Sequence, residues 1–330
     1  VKALKLMTRY GAHRLLKHNA LKEPSAAMLA VAAALFFNVF FSCKSVSPVI
    51  PSVDPFALIN PDASFYLYMP VKANQKFAQK MLCAEFEGMS EKDAAQIAGR
   101  TDTLIFASDF ENSPSMFQIA ASGKYPLAAV QLSLTESNGW RKKICSETTV
   151  PYAYYIQKGG SLQIAVPSSD CAVLSDDVAQ MISLYEKALA AELSQEEKQT
   201  TPVNDTAVTS APPDGWNEGV YDFLTCGKPG EIKFIAYHPA SFITSLLKKD
   251  INLGIETISG TMVQNAREGV FNLELNIEVT DTRAIKAALS MLKIALFPVP
   301  AEIVQIDQNH IKITSLTITW DGLTRLLVKK

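Results

Sequence analysis

Two stretches of this chain open alike, and the likeness limits the fold more than any other feature. Phe65-Tyr66-Leu67-Tyr68-Met69-Pro70 and Phe234-Ile235-Ala236-Tyr237-His238-Pro239 are short apolar runs stopped by proline. Proline cannot donate to a sheet ladder, so each run predicts a strand that ends there. A helical pattern follows both times, over 74–83 with Phe77, Met81 and Leu82, and over 240–249 with Phe242, Leu246 and Leu247. Next come Thr103-Leu-Ile-Phe-Ala-Ser108 and Thr261-Met-Val-Gln-Asn-Ala266, each a strand with a polar turn after it. The strands beyond keep step, Phe117 and Ile119 against Phe271 and Leu273. In the later one, Val270 to Val279 alternates apolar and polar residues, so one face packs and the other is largely wet.

The parallel continues to the end of each stretch. Helices recur around Leu132-Ser133-Leu134 and Leu289-Ser290-Met291, with Pro126 and Asp281 as suitable openings. Hairpins follow, one turning at Gly159-Gly160 and the other at Gln308-Asn309. Ser175 is placed to cap a helix reaching about residue 193, and Asp321 opens a shorter one. This order predicts an α+β fold of two tandem related units, 57–193 and 218–330. Each would be a mostly antiparallel sheet with helices packed on one face. Residues 194–217 are poor in apolar residues and carry Pro202, Pro212 and Pro213, which predicts a linker.

The N-terminus is of another kind. Lys2, Lys5, Arg9, Arg14, Lys17 and Lys22 face a single acid, Glu23, before an apolar run from 26 to 41. That is the order of a secretory signal, and the run is short of the roughly 20 residues that span a bilayer as a helix. It closes on Phe40-Phe41-Ser42-Cys43, which resembles the relaxed lipobox of spirochaetal lipoproteins. The resemblance implies that residues 1–42 are removed and that Cys43 carries acyl chains of the palmitate type. The body would then be anchored to the inner or outer membrane of the cell envelope, facing the periplasm or the cell surface. The competing reading is an uncleaved signal anchor. Residues 43–56 contain Pro48, Pro51 and Pro55 and read as an extended tether, able at about 3.1 Å per residue to lift the body roughly 35 Å. The opening Asn60-Pro61-Asp62-Ala63-Ser64-Phe65-Tyr66-Leu67 resembles an uncharacterised family of bacterial secreted proteins, a likeness that implies no reaction.

Beyond residue 42 the chain holds 25 basic and 32 acidic residues. A mildly acidic body argues against nucleic acid and against a polybasic grip on anionic lipid. With Cys43 assigned to lipid, Cys83, Cys145, Cys171 and Cys226 remain, an even number that suits disulfides in an exported protein. Four small buried hydrophobes suit the same residues equally.

Chemistry is thinly represented. His238 and His310 are the only histidines beyond residue 42, and no His-Glu-x-x-His, Cys-x-x-Cys or Gly-x-Ser-x-Gly spacing occurs. No metal, cofactor or catalytic residue is therefore expected. One segment stands out, the helix 284–297, where Ile285, Leu289, Met291, Leu292 and Phe297 belong to an apolar stripe wider than a single buried face requires. Such a stripe is either core or the wall of an apolar groove open to a lipid or a protein partner. These features predict a membrane-anchored, non-catalytic binding or scaffold module. The alternatives are a hydrolase with its site between the two units and a carrier for lipid or lipidated cargo.

Overall fold

The structure is a computed structural model, described here for residues 51–86, 89–109, 117–196, 211–239, 254–280, 285–296 and 300–327. It is a mixed α+β fold in which seven helices, counted among the described residues, pack against one large antiparallel sheet. In chain order the elements begin with β1 (Phe65–Pro70), α1 (Gln75–Glu85), α2 (Glu91–Arg100), β2 (Thr101–Ser108) and β3 (Phe117–Gly123). They continue with α3 (Leu127–Ser133), β4 (Trp140–Ile144), β5 (Ala153–Gln157), β6 (Gln163–Ser168), β7 (Cys171–Ser175) and α4 (Val178–Glu196). After these come α5 (Glu218–Thr225), β8 (Ile232–Tyr237), β9 (Ile255–Gln264), β10 (Val270–Val279), α6 (Ile285–Ala295), β11 (Glu302–Gln305), β12 (His310–Thr319) and α7 (Trp320–Leu327).

The twelve strands among the described residues join one continuous sheet in the order β11-β12-β10-β9-β8-β1-β2-β3-β7-β6-β5-β4. The two proline-stopped runs lie side by side at its centre, Phe65 opposite Ala236 and Tyr68 opposite Lys233. Their side chains alternate between two cores. Phe65, Leu67 and Met69 of β1, with Ile232, Phe234 and Ala236 of β8, enter one core; Tyr66 and Tyr68, with Ile235 and Tyr237, enter the other. Helices α1, α2, α6 and α7 close the first core, and α4 and α5 close the second. The helices are thus divided between the two faces of the sheet, which two polar-backed sheets would not have allowed. Central strands apolar on both sides call for cover on both.

Local sequence explains the elements. Helix α4 buries Val178, Met181, Ile182 and Tyr185, the i, i+3, i+4, i+7 stripe of a one-face helix. The Ser175 hydroxyl accepts from the Asp177 amide at 3.0 Å just before it. Helix α2 starts at Ser90, whose Oγ accepts from the Asp93 amide at 3.1 Å, with Glu91 and Asp93 in a first turn that favours negative charge. At the end of β3, Gly123 approaches the chain so closely that a Cβ there would sit 2.2 Å from the Arg100 carbonyl oxygen, so only glycine fits.

The segment expected to be a linker, 194–217, begins later and ends earlier than the sequence suggests, and the end of the expected tether, 43–56, is folded, with Val53 and Phe56 buried in the second core. Helix α4 runs to Glu196, and Trp216 is already buried in the second core. Residues 240–249, where a helix was expected, lie outside the described residues.

Candidate functional site

Helix α3 is the anomaly of the surface. It is built from Leu127-Ala-Ala-Val-Gln-Leu132-Ser and buries none of its residues. Leu127 is 40 % and Leu132 77 % exposed, although both are of the type that drives burial. The helix touches β6 and leads through a short turn, Glu136–Asn138, into β4. That turn is fixed to the neighbouring hairpin: the Lys158 amide donates to the Gly139 carbonyl at 2.7 Å, and its Nζ donates to the Glu136 carbonyl at 2.9 Å. Gly139 sits at φ +83°, the left-handed conformation that glycine adopts without strain.

The residues singled out in the apolar stripe are only partly brought to the surface. In α6, Ile285 and Leu292 lie in the first core together with Ala288, while Leu289 and Met291 are half-buried against it. Ile294 is 75 % exposed, and Phe297 lies outside the described residues. Cys43 also lies outside them.

The other four cysteines are free thiols, Cys145 and Cys171 buried, Cys83 half-buried and Cys226 exposed. Burial pushes the Cys171 thiol up to about 12, with the Asp170 carboxylate adding to the effect. An alkylating reagent at mildly alkaline pH should modify Cys226 readily and spare Cys171 until the protein unfolds, because the thiolate is the reactive form. In denaturant without reductant all four should titrate. A shortfall would reveal a disulfide.

Two cavities accompany these features. One of about 250 Å³ lies between Lys76, the β9–β10 turn and Trp320; another of about 190 Å³ is lined by Asp54, Phe56, Tyr68 and Tyr221 among others. Neither is lined by the α6 stripe, and both are smaller than the roughly 300–1,000 Å³ of small-molecule pockets. In the second, the Asp54 carboxylate is already engaged, accepting from the Tyr221 hydroxyl at 2.8 Å and from the Phe56 amide at 3.0 Å.

His310 faces two carboxylates, Asp307 in its own turn and, through Nε2 at 3.9 Å, Glu278 of β10, while His238 is exposed at the end of β8. His310 Nδ1 lies 2.8 Å from Asp307 at the β11–β12 turn. The Asn309 amide and the His310 ring hold the Asp307 carboxyl below the usual carboxylate range. This arrangement closes a hairpin. The serine–carboxylate contacts Ser90–Asp93, Ser168–Asp170 and Ser175–Asp176 join near neighbours in caps and turns, while the Ser64 hydroxyl donates to Asp109 at 3.3 Å and ties the start of β1 to the end of β2. Among the described residues no group of three or more His, Cys, Asp or Glu is placed to hold a metal ion.

Known proteins share this architecture. A family model described as outer membrane-associated lipoprotein TP0453 matches residues 51–211. The chain is similar to the TP0453 lipoprotein. The outer membrane protein TP0453 of Treponema pallidum (strain Nichols) is 25% identical over 226 residues, which is 68% of this chain and 70% of that protein. Crystal form III of TP0453 superposes with a TM-score of 0.58 at 19% identity, covering 84% of this chain and 98% of that one. Crystal form I gives 0.56 over 84% and 97%. The structural likeness to TP0453 shows the fold, and the sequence likeness supports a membrane-associated bacterial lipoprotein of spirochaete type.

Proposed function

We propose that this chain is a lipid-anchored, non-catalytic module of the cell envelope, acylated at Cys43, whose folded body also rests on the lipid through α3. The observation that carries the reading is the exposure of Leu127 and Leu132 on a helix that buries nothing. An apolar helix left in water gains by entering an acyl boundary, at about 25 cal/mol for each Å² removed. The similarity to proteins named as outer membrane lipoproteins supports the anchor and the envelope location. Outward from the central pair the strands run β1-β2-β3-β7-β6-β5-β4 one way and β8-β9-β10-β12-β11 the other. The shared first steps support an origin from two related units, but β4 and β5 have no counterpart, and the β6–β7 hairpin, not the one turning at Gly159-Gly160, stands in the place of β11–β12.

Two measurements test this. Metabolic labelling with a fatty acid should mark the wild-type chain and not Cys43→Ala; equal labelling would remove the anchor. Separately, residues 51–330, which form a compact unit, should float with phosphatidylcholine vesicles. Leu132→Glu, with Leu127→Gln added, should weaken that binding at least tenfold with little change in Tm, since Leu132 is 77 % exposed and Leu127, at 40 %, is not a core residue. Failure of the wild-type unit to float would end the α3 reading.

A further inference from the structure

The strand that follows α3 has an unusual composition for its place. β4 reads Trp140-Arg141-Lys142-Lys143-Ile144 and forms the outer edge of the sheet. Its three cations are exposed, and among the described residues none lies in an ion pair. From residue 122 to 160 the chain has five basic residues, Lys124, Arg141, Lys142, Lys143 and Lys158, against two acids, Glu136 and Glu147. The remainder of the body is acidic. Net charge had argued against attraction to anionic lipid, but it averages over a surface on which the fold gathers positive charge at one edge. That edge is joined to the exposed apolar helix by the turn that Lys158 clamps.

We infer that β4 reads the headgroups of an anionic bilayer: Arg141, Lys142 and Lys143 meet lipid phosphates while α3 enters the apolar boundary beside them. The inference rests on the membrane reading of α3 and assigns it a lipid class and an orientation. Successive side chains of a strand point to opposite faces, so Arg141 and Lys143 lie on one side of the sheet and Lys142 on the other. Only an edge-on approach brings both rows to one plane, which makes the body stand on β4. Within such a strand the three cations span roughly 7 Å, close enough to act on one patch of headgroups. Trp140, half-buried at the head of the strand, belongs to a residue type enriched at membrane interfaces.

Each basic residue near an anionic surface strengthens binding roughly fivefold, so the three together are worth on the order of a hundredfold. The test uses residues 51–330 with vesicles of phosphatidylcholine alone and of phosphatidylcholine containing a minority of phosphatidylglycerol. The expected results are tighter binding to the anionic vesicles, a preference that shrinks as salt shortens the screening length, and its loss in Arg141→Gln/Lys142→Gln/Lys143→Gln. That variant should still bind phosphatidylcholine as the wild type does, and should keep its Tm. Equal wild-type binding to both vesicles, or a preference that survives the triple substitution, overturns the inference and leaves α3 as a nonselective contact. Wild-type binding to neither vesicle removes the α3 reading itself. Charged residues on an edge strand also prevent edge-to-edge pairing; a triple variant that self-associates but keeps its lipid preference would assign β4 to that role and sink the lipid one.

Discussion

Phe271→Ala should destabilise the protein by about 3–5 kcal/mol, the usual cost of removing a buried aromatic ring. Phe271 of β10 is fully buried, with the Phe77 ring edge-on at 5.0 Å and Trp320 at 6.2 Å. Phe77 belongs to α1, so the ring contact fastens a helix from the first half of the chain onto strands of the second. Two ion pairs follow the same path, Lys76–Glu268 at 2.6 Å and Lys80–Asp321 at 2.6 Å. Their side chains are 40 to 71% exposed, and such pairs contribute about 0–1 kcal/mol. The aromatic contact should therefore dominate: Lys76→Ala and Lys80→Ala should each cost under about 1 kcal/mol. Urea unfolding separates the two. A Phe271→Ala cost no larger than that of the lysine variants would show that the ring is not what fastens α1.

An effect of similar size is expected on the opposite face. Trp216→Ala should also cost about 3–5 kcal/mol. Its indole packs on Phe56 at 5.0 Å and on Tyr66 at 4.9 Å, and Nε1 donates to the buried Phe56 carbonyl at 3.0 Å. Trp216→Phe keeps most of the packing and leaves that carbonyl its bond from the Ile59 amide at 3.3 Å, so it should cost only about 1 kcal/mol. Because both cores share β1 and β8, Trp216→Ala and Phe271→Ala should lower the midpoint of one common transition. If each variant displaced a different transition, the two faces would be melting separately, and the shared sheet would not be what unites them.

How much of this could be read in advance depended on the environment of each segment. The β1 and β8 runs were legible because proline stopped them, and β10 because its faces differ. Strand β7, Cys171-Ala-Val-Leu-Ser175, was missed because buried strands do not alternate, and its last residue was read only as a helix cap. β4 was missed because an edge strand of Arg and Lys has no apolar face to declare it. Ser90-Glu91-Lys92-Asp93 carried a start signal for α2 that went unused. The two-sided core was written in β1 itself, where Tyr66 and Tyr68 interleave with Phe65, Leu67 and Met69, leaving no polar face. Helix α3 was read correctly as a helix, but nothing local could disclose its exposure. Its leucines would serve equally in a core, and only the tertiary arrangement withholds one. The reverse happened in α6, where burial claims Ile285 and Leu292 and leaves Leu289 and Met291 at the margin.

The place where the chain enters the body has a mechanical consequence. Asp54 and the turn Pro55–Leu58 lie against α4, β2 and β3, in the middle of the sheet and far from either edge. Phe56 is held there by Trp216 and Tyr221, and Asp54 by the Tyr221 hydroxyl, so groups from the second half of the chain grip the first folded residues. A force arriving along the chain from before residue 51 would meet this clamp first, where the contacts of Phe56 and Asp54 with Trp216 and Tyr221 must yield together. Attached at an edge strand, the same force would peel the sheet one hydrogen bond at a time. Under the proposed Cys43 anchor, a pull from the membrane would enter the body at this central clamp and not at an edge strand.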